Sequence, residues 1–372
     1  MIKVAQGLLE QEELALVKEA FDYGYFGHAQ KVEQFEREVA RICNVEEDMV
    51  VAVNSGTNAL FLALVAAGIG KGDEVIVPSL TFVASFQAIS LTGATAVACD
   101  VYEDTLLCDI EDIRKKITPN TKAIMPVHYC GNICDMDALL ALGKEYGIHI
   151  IEDAAHCFGG QYKGQAVGSY SDIACFSFDS IKVISCGEGG AVVSHNKELI
   201  ANIKLTRMLS MNKSEHPMSP NGVKMDYEVA LQGYRCHMSN INAAIGLAQI
   251  EKLERFIDRR RQMCAMYLEG LKDNTLIEFM NVKYDEIVPF MFIVRVKNGM
   301  RDKLKAYLWE NDIETAIKYV PSHLFKLYRQ DNCPVTEQAF EEILELPLHC
   351  RLSDEDVETV IKTVNAFEKS CQ

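Results

Sequence analysis

Short, almost wholly apolar runs alternate with stretches of helical spacing through the first half of this chain, and that alternation limits its fold more than any other feature. "MVVAVNS", "DEVIVPS", "ATAVACD", "KAIMPVH" and "IHIIED" are interleaved with "TNALFLALVAAGI", "TFVASFQAISLTG" and "MDALLALGKEYG". Strand, helix, strand at this cadence predicts an α/β fold with a mostly parallel sheet between helices, because strands covered on both faces have no polar side to show. After "DIACFSF" and "GGAVVSH" the pattern turns to long helical stretches, above all one expected over Asn240–Leu271. A final section with "PFMFIVRV", "MRDKLKAYLWENDI" and "DEDVETVIKTVNAF" predicts a separate α+β layer. The expected division is a large domain over 1–250 and a smaller C-terminal one over 251–372.

Charge and composition remove several function classes. Lys plus Arg number 37 against 53 Asp plus Glu, a net charge of −16 that repels polyanions, so nucleic acid is not an expected partner. A small anionic ligand remains compatible with that field, since a few local donors can outweigh it. The most apolar window, Val51–Gly70, is interrupted by Asn54, Ser55, Thr57 and Asn58 and fails as a membrane span. Glu10, Glu12 and Glu13 stand where a secretory signal needs an apolar core, and the chain is expected to be cytoplasmic. The 13 cysteines sit in apolar contexts and read as reduced core thiols. His128, Cys130 and Cys134 come nearest to metal-ligand spacing but lack a second cluster, so no metal site is expected. Arg259, Arg260 and Arg261, among Glu251, Glu254 and Asp258, read as a solvated helix face.

In sheets of this kind ligands bind beyond the carboxyl ends of the strands. Three groups of polar residues follow apolar runs. Ser55, Gly56 and Thr57 stand between a strand and a helix, where free N–H groups, the helix dipole and two hydroxyls suit a phosphate; an ordinary N-cap would use the same residues. Glu152 and Asp153 leave a strand that should be buried, and a carboxylate there needs a cationic or N–H partner to stay ionised. His156 follows three residues later. Lys182 lies among small and apolar residues ahead of a glycine-rich turn, either as a snorkelling surface lysine or as a shielded one. Together, a phosphate cradle, a buried carboxylate and a shielded lysine are a protein's share of a pyridoxal phosphate site. The lysine would be held as a Schiff base, the carboxylate would keep the pyridine nitrogen protonated, and Phe82 offers an aromatic face for stacking.

"NSGTNAL", "GDEVIVPSLTFVAS", "IEDAAHCFGG", "GSYSDIACFSFDSIK", "CGEGGAVVS", "GYRCHMSNINAAIGLAQ" and "LPLHC" occur in the order and spacing of the DegT/StrS-type sugar aminotransferases, and the chain resembles that family from about Phe26 onward. The resemblance implies a fold-type I enzyme using pyridoxal 5'-phosphate to move an amino group from an amino acid, usually L-glutamate, to a keto group of a nucleotide-linked sugar. It makes Lys182 the Schiff-base lysine and Asp153 the pyridinium partner, with His156 near the cofactor's phenolic oxygen and Phe82 at the stacking position. Ser177 matches a phosphate-binding serine, and Gly56 and Thr57 match the phosphate-binding turn. The family is dimeric, and an Asn in its "GYNYRM"-like block often reaches the partner's phosphate; here Arg235 stands in that place, with Asn240 further on. Tyr25, Phe26 and His323 fall in stretches that lie near the nucleotide or sugar in the family. The stretch "SMNKSEHPMSPNGVKMD" matches no firm family pattern and is expected to form a loop at the substrate mouth. Retention of lysine, where a dehydrating branch has histidine, implies ping-pong transamination. Two other readings stay open: another fold-type I enzyme acting on a small phosphorylated ketone or amino acid, and a non-catalytic regulator that binds the cofactor.

Overall fold

The structure, a computed structural model, describes residues 1–213, 226–330 and 333–371. Most of the stretch expected as a substrate-mouth loop, residues 214–225, lies outside the described residues. The strands of the first half, in chain order, are β1 (Val50–Val53), β2 (Glu74–Pro78), β3 (Thr95–Cys99), β4 (Thr121–Ile124), β5 (His149–Asp153), a short hairpin of β6 (Gln161–Tyr162) and β7 (Gln165–Ala166), then β8 (Ile173–Ser177) and β9 (Gly190–Val193). Seven of them form one sheet in the order β1-β9-β8-β5-β4-β2-β3. Only β9 runs against its neighbours, so the other six strands present their carboxyl ends along one edge.

The apolar runs behave as buried strands must. Val50 and Ala52 join one core cluster and Val51 and Val53 the other, and Ile150 and Ile151 divide in the same way. Alternate side chains thus enter two separate cores, one on each face of the sheet, so neither face is left to water.

A second, antiparallel sheet is formed by Ile277–Phe279, Phe292–Val296 and Ile343–Leu346, with Phe292–Val296 in the middle. The amino-terminal residues return to this part of the molecule, where Ile2 bridges Ile313.

Two sequence expectations are corrected here. The single long helix over Asn240–Leu271 is two helices, Asn240–Glu251 and Leu253–Leu271, joined at Lys252. The Lys252 Nζ lies 2.8–2.9 Å from carboxylate oxygens of Glu10, Glu12 and Glu13, and this cluster ties the break to the first helix, Gln11–Tyr23. Nor do Arg259, Arg260 and Arg261 form a solvated face. Arg260 is buried, and its Nη1 donates to the carbonyls of Pro289, Phe290 and Leu348 at 3.1–3.3 Å. Among the described residues no helix is long and apolar enough to cross a membrane.

Candidate active site

At the strand edge lies a cavity of about 420 Å³, a size suited to a cofactor with part of a substrate. Its walls come from the segments that follow β1, β2, β5 and β8, and these carry Ser55, Gly56 and Thr57, then Phe82, then Asp153 and His156, then Ser177 and Lys182. The fold therefore brings together residues far apart in the chain, from Ser55 to Lys182, because parallel strands share one polar edge.

Successive residues of a strand face opposite ways, and this separates the two acids at the end of β5. Asp153 lines the cavity, accepting from Ser85 Oγ at 2.7 Å and from the Ala155 N–H at 3.2 Å. Burial pushes its carboxyl above the usual range, while Ser85, Ala155 and the nearby Lys182 charge pull it back. Glu152 is absent from the cavity lining and fully buried, where it accepts from Ser171 and from His128 Nε2 at 2.7 Å. The Cys134 N–H donates to His128 Nδ1 at 3.3 Å, which leaves the ring proton on Nε2 for Glu152. His128 and Cys134 thus serve a buried carboxylate, and no group of three or more metal-ligating side chains is placed to hold an ion among the described residues.

The loop that carries Lys182 is pinned at both ends. Phe178 packs edge-to-face on Phe35 and Phe158, its N–H donates to the Gly189 carbonyl, and its carbonyl accepts from the Cys186 N–H, both at 2.9 Å. Asn242, from the helix Asn240–Glu251, donates to the Cys186 carbonyl at 2.7 Å. Lys182 Nζ is thereby held 4.4 Å from the centre of the Phe290 ring. Burial lowers its pKa to about 8, partly offset by Asp153 and Asp179, so the free amine is accessible near neutral pH.

His156 stacks on Phe290 at 4.4 Å, and the Tyr319 hydroxyl stands 3.4 Å from its Nε2. Its Nδ1 is buried with no hydrogen-bond partner among the described residues. Burial, reinforced by the charges of Lys182 and Lys318, holds the imidazole well below its usual pKa and hence neutral. An orphaned nitrogen at the wall of a cavity suits a polar group of a bound molecule.

Ser55 caps the helix Gly56–Ala66 by accepting from the Asn58 N–H at 3.2 Å, so the ordinary N-cap is in place at this wall of the cavity. Gly56 and Thr57 are the first two helical residues, whose N–H groups have no carbonyl one turn earlier to bond. A Cβ on Gly56 would lie 2.6 Å from the Cβ and 2.9 Å from the Oγ of Ser177, so only glycine lets the helix start approach that serine.

Other expected site residues lie elsewhere. Arg235 is exposed, bridging Met208 in backbone pairing, and is not part of this cavity. Asn240 is fully buried; its Oδ1 accepts from the Lys31 N–H at 2.9 Å and its Nδ2 donates to the Tyr25 carbonyl at 3.3 Å, so its amide orders the loop that displays Tyr25 and Phe26. Those two rings are exposed. His323 has no exposed surface and lies between Ser79 Oγ, 2.5 Å from Nδ1, and Glu337, 3.1 Å from Nε2. Sequence reasoning missed Asp179, Glu188, Lys318 and Tyr319 in the cavity wall and Phe290 behind it. A usable signal existed for Asp179, three residues before the lysine, whereas Lys318 and Phe290 arrive from the second half through tertiary packing alone.

Among protein families, residues 8–365 match the DegT/DnrJ/EryC1/StrS aminotransferase family. The chain belongs to this family. Its fold is similar over the full length of both chains to the aminotransferase TlmJ of Streptoalloteichus hindustanus, at 33% identity and a TM-score of 0.94. S. venezuelae DesV, seen with a ketimine intermediate, is 35% identical with a TM-score of 0.88, covering 96% of this chain and 95% of that one. The sugar aminotransferase Spr1654 of Streptococcus pneumoniae, in its PMP form, is 28% identical over the full length of both chains with a TM-score of 0.92. This family member is therefore a fold-type I, pyridoxal phosphate-dependent sugar aminotransferase. Its own residues fit the cofactor: a cradle that a Cβ would fill, a buried carboxylate, an orphaned His156 nitrogen and a shielded amine.

Proposed function

We propose that this chain transfers the amino group of an amino acid, L-glutamate, to a keto group of a nucleotide-linked deoxy sugar, in two half-reactions, as a cytoplasmic homodimer with sites at the subunit interface. The observation that carries the reading is Lys182: an amine with its pKa lowered to about 8, walled by Phe290 and sharing one cavity with Asp153 and the phosphate cradle. A lysine that stayed solvated would have neither the lowered pKa nor the neighbours.

When bound, pyridoxal phosphate supplies an aldehyde and an electron-withdrawing ring beside the reacting carbon. The Ser55–Thr57 turn and Ser177 would hold its phosphate, and Phe82, exposed at the cavity mouth, would offer a stacking face. Asp153, anchored by Ser85, would keep the ring nitrogen protonated. Lys182 Nζ would hold the cofactor and, once freed by the donor, serve as the base and acid that moves the proton at the reacting carbon. His156, neutral and with Nδ1 unpartnered among the described residues, would hydrogen-bond the ring oxygen. Tyr25 and Phe26 would contact the sugar nucleotide; of the two residues that the resemblance offers to the partner subunit's phosphate, Arg235 is exposed and Asn240 is buried. The reading also divides the chain into a large domain, 1–250, and a small one, 251–372, with the seven-stranded sheet in the first and the sheet containing Phe292–Val296 in the second.

The test is the visible spectrum of the purified protein with pyridoxal phosphate, before and after L-glutamate, beside Lys182→Ala. The expected result is a bound-cofactor band that glutamate converts in the wild type and that never forms in the variant, followed by reversal with a nucleotide-linked keto-sugar. Activity retained in Lys182→Ala would overturn the mechanism, and a wild-type band indifferent to every amino acid would favour a regulator.

A further inference from the structure

An amino-acid donor brings a carboxylate into a cavity that already holds three: Asp153, Asp179 and Glu188 all line it. Such a wall repels the donor unless a cation meets it. Among the described residues lining the cavity, the cationic side chains are Lys182 and Lys318, and Lys182 is engaged by the chemistry. His156 is held neutral by its burial.

Lys318 is built as a fixed cation. Its Nζ lies 3.0 Å from Glu345 Oε2 and 3.3 Å from Oε1, and Glu345 is buried on the strand Ile343–Leu346 of the small sheet. Glu345 also exchanges backbone hydrogen bonds with Ala316, at 2.8 and 3.4 Å, and the Tyr129 hydroxyl donates to the Lys318 carbonyl. On the other side, the Ser322 N–H donates to the Ser79 carbonyl at 2.8 Å. The segment is thus anchored before and after Lys318. An ammonium has three N–H donors. Glu345 accepts on its own side and leaves N–H capacity on an ammonium whose residue lines the cavity.

We infer that Lys318, oriented by Glu345, receives the α-carboxylate of the amino donor. The α-carboxylate is one bond from the carbon that reacts beside Lys182, so its cation must stand in the same cavity, and Lys318 meets that condition. A side-chain carboxylate sits further along the donor and needs no contact so deep. Recognition therefore extends to any α-amino acid whose side chain fits, and Lys318 contributes donor affinity rather than sugar affinity.

This rests on the reading of the enzyme as an amino-acid-dependent transaminase, and the experiment separates the two. The holoenzyme is mixed with increasing L-glutamate and the cofactor band is followed in single turnover, giving a limiting rate and a half-saturating concentration. Lys318→Met alone would leave Glu345 buried without its cation, so the double variant Lys318→Met/Glu345→Gln is measured with it, along with Lys318→Arg. The expected result is a half-saturating glutamate raised about tenfold or more in both Met variants, largely restored in Lys318→Arg, with cofactor affinity unchanged. A half-saturation within twofold of wild type, with only the limiting rate or its pH profile altered, would overturn the inference and make Lys318 an electrostatic neighbour of Lys182. Should wild type ignore glutamate, the same series is run with the amino acid that does convert the band. If none does, the transaminase reading fails, and this inference falls with it.

Discussion

One aromatic ring serves two groups of the site: Phe290 lies 4.4 Å from Lys182 Nζ and stacks on His156 at the same centre-to-centre distance of 4.4 Å. Burial opposes the ammonium form of Lys182, whereas an aromatic face favours it. Because the neutral amine captures an aldehyde, the rate of cofactor uptake by the apoprotein should rise with pH through a midpoint near 8. Phe290→Leu keeps the site apolar but removes the ring face, so the midpoint should fall further, by about half a unit for an interaction of ~0.5–1 kcal/mol. Uptake rates against pH for the two proteins check this; a midpoint at the ordinary lysine value would contradict the burial argument.

The same lysine has a stability signature in the apoprotein. Its folded pKa of about 8 lies below the ordinary lysine value of 10.5, so below pH 8 the folded state carries a proton it binds weakly. The resulting penalty is fully present at neutral pH and disappears as pH rises from about 8 to 10.5, where only the unfolded chain is still protonated. Lys182→Met should therefore stabilise the apoprotein at pH 7, on the order of 2 kcal/mol, while abolishing turnover. Denaturant midpoints at pH 7 and pH 10.5 test it, with the gap between the two proteins expected to close at the higher pH.

The sheet and the floor of the site were legible in the sequence for a common reason. Parallel strands are buried on both faces, so they announce themselves as apolar runs, and the polar residues just past them, Ser55, Asp153 and Ser177, inherit their position from the strand. The wall contributed by the second half was not legible. Lys318, Tyr319 and Phe290 reach the cavity through packing of the small sheet, and no local pattern in "IKYVP" or "VPFMF" specifies which cavity they face. Arg260 misled for a related reason: a helix with mixed charges reads as solvated, yet this guanidinium turns inward to three carbonyls.

Gly56 sets how closely the start of the helix Gly56–Ala66 approaches Ser177, the pair proposed to hold the phosphate. A methyl group there would lie 2.6 Å from Ser177 Cβ, so Gly56→Ala must push the helix start away from the serine. Loss of even one charge-assisted contact to a phosphate should weaken cofactor binding about tenfold or more. Equilibrium titration of the apoprotein with pyridoxal phosphate reads this directly. Ser177→Ala, which removes the hydroxyl without moving the helix, should give a comparable or smaller loss; unchanged affinity in both variants would place the phosphate elsewhere.

Ser85→Ala isolates the environment of Asp153 from its charge. Ser85 Oγ donates at 2.7 Å to a carboxylate whose pKa burial already raises, and removing that donor raises it further. Asp153→Asn should still bind cofactor but react at least a hundredfold more slowly, since an amide cannot keep the ring nitrogen protonated. Ser85→Ala should lie between wild type and Asp153→Asn, and its loss should deepen as pH falls, because the unsupported carboxylate is neutralised first. Rate measurements from pH 8 downward check the sign, and a deficit that shrinks in acid would show that Ser85 acts on something other than this carboxylate.

His323 distinguishes a substrate contact from a positioning residue. The ring has no exposed surface, and it links Ser79 at the end of the β2 segment to Glu337 on the helix Pro334–Glu342, directly after the loop bearing Lys318 and Tyr319. A ring so enclosed acts on the site by holding that loop. His323→Ala removes the ring nitrogen that Ser79 Oγ meets, leaving that hydroxyl only the backbone N–H of residue 323 at 3.2 Å, and opens a cavity, at a cost of about 2–4 kcal/mol. The expected outcome is a lowered Tm together with weaker donor saturation, because Lys318 loses its anchor, while His323→Gln recovers part of both by bonding Ser79 again. A variant with wild-type Tm and impaired binding of the sugar nucleotide alone would instead return His323 to the substrate.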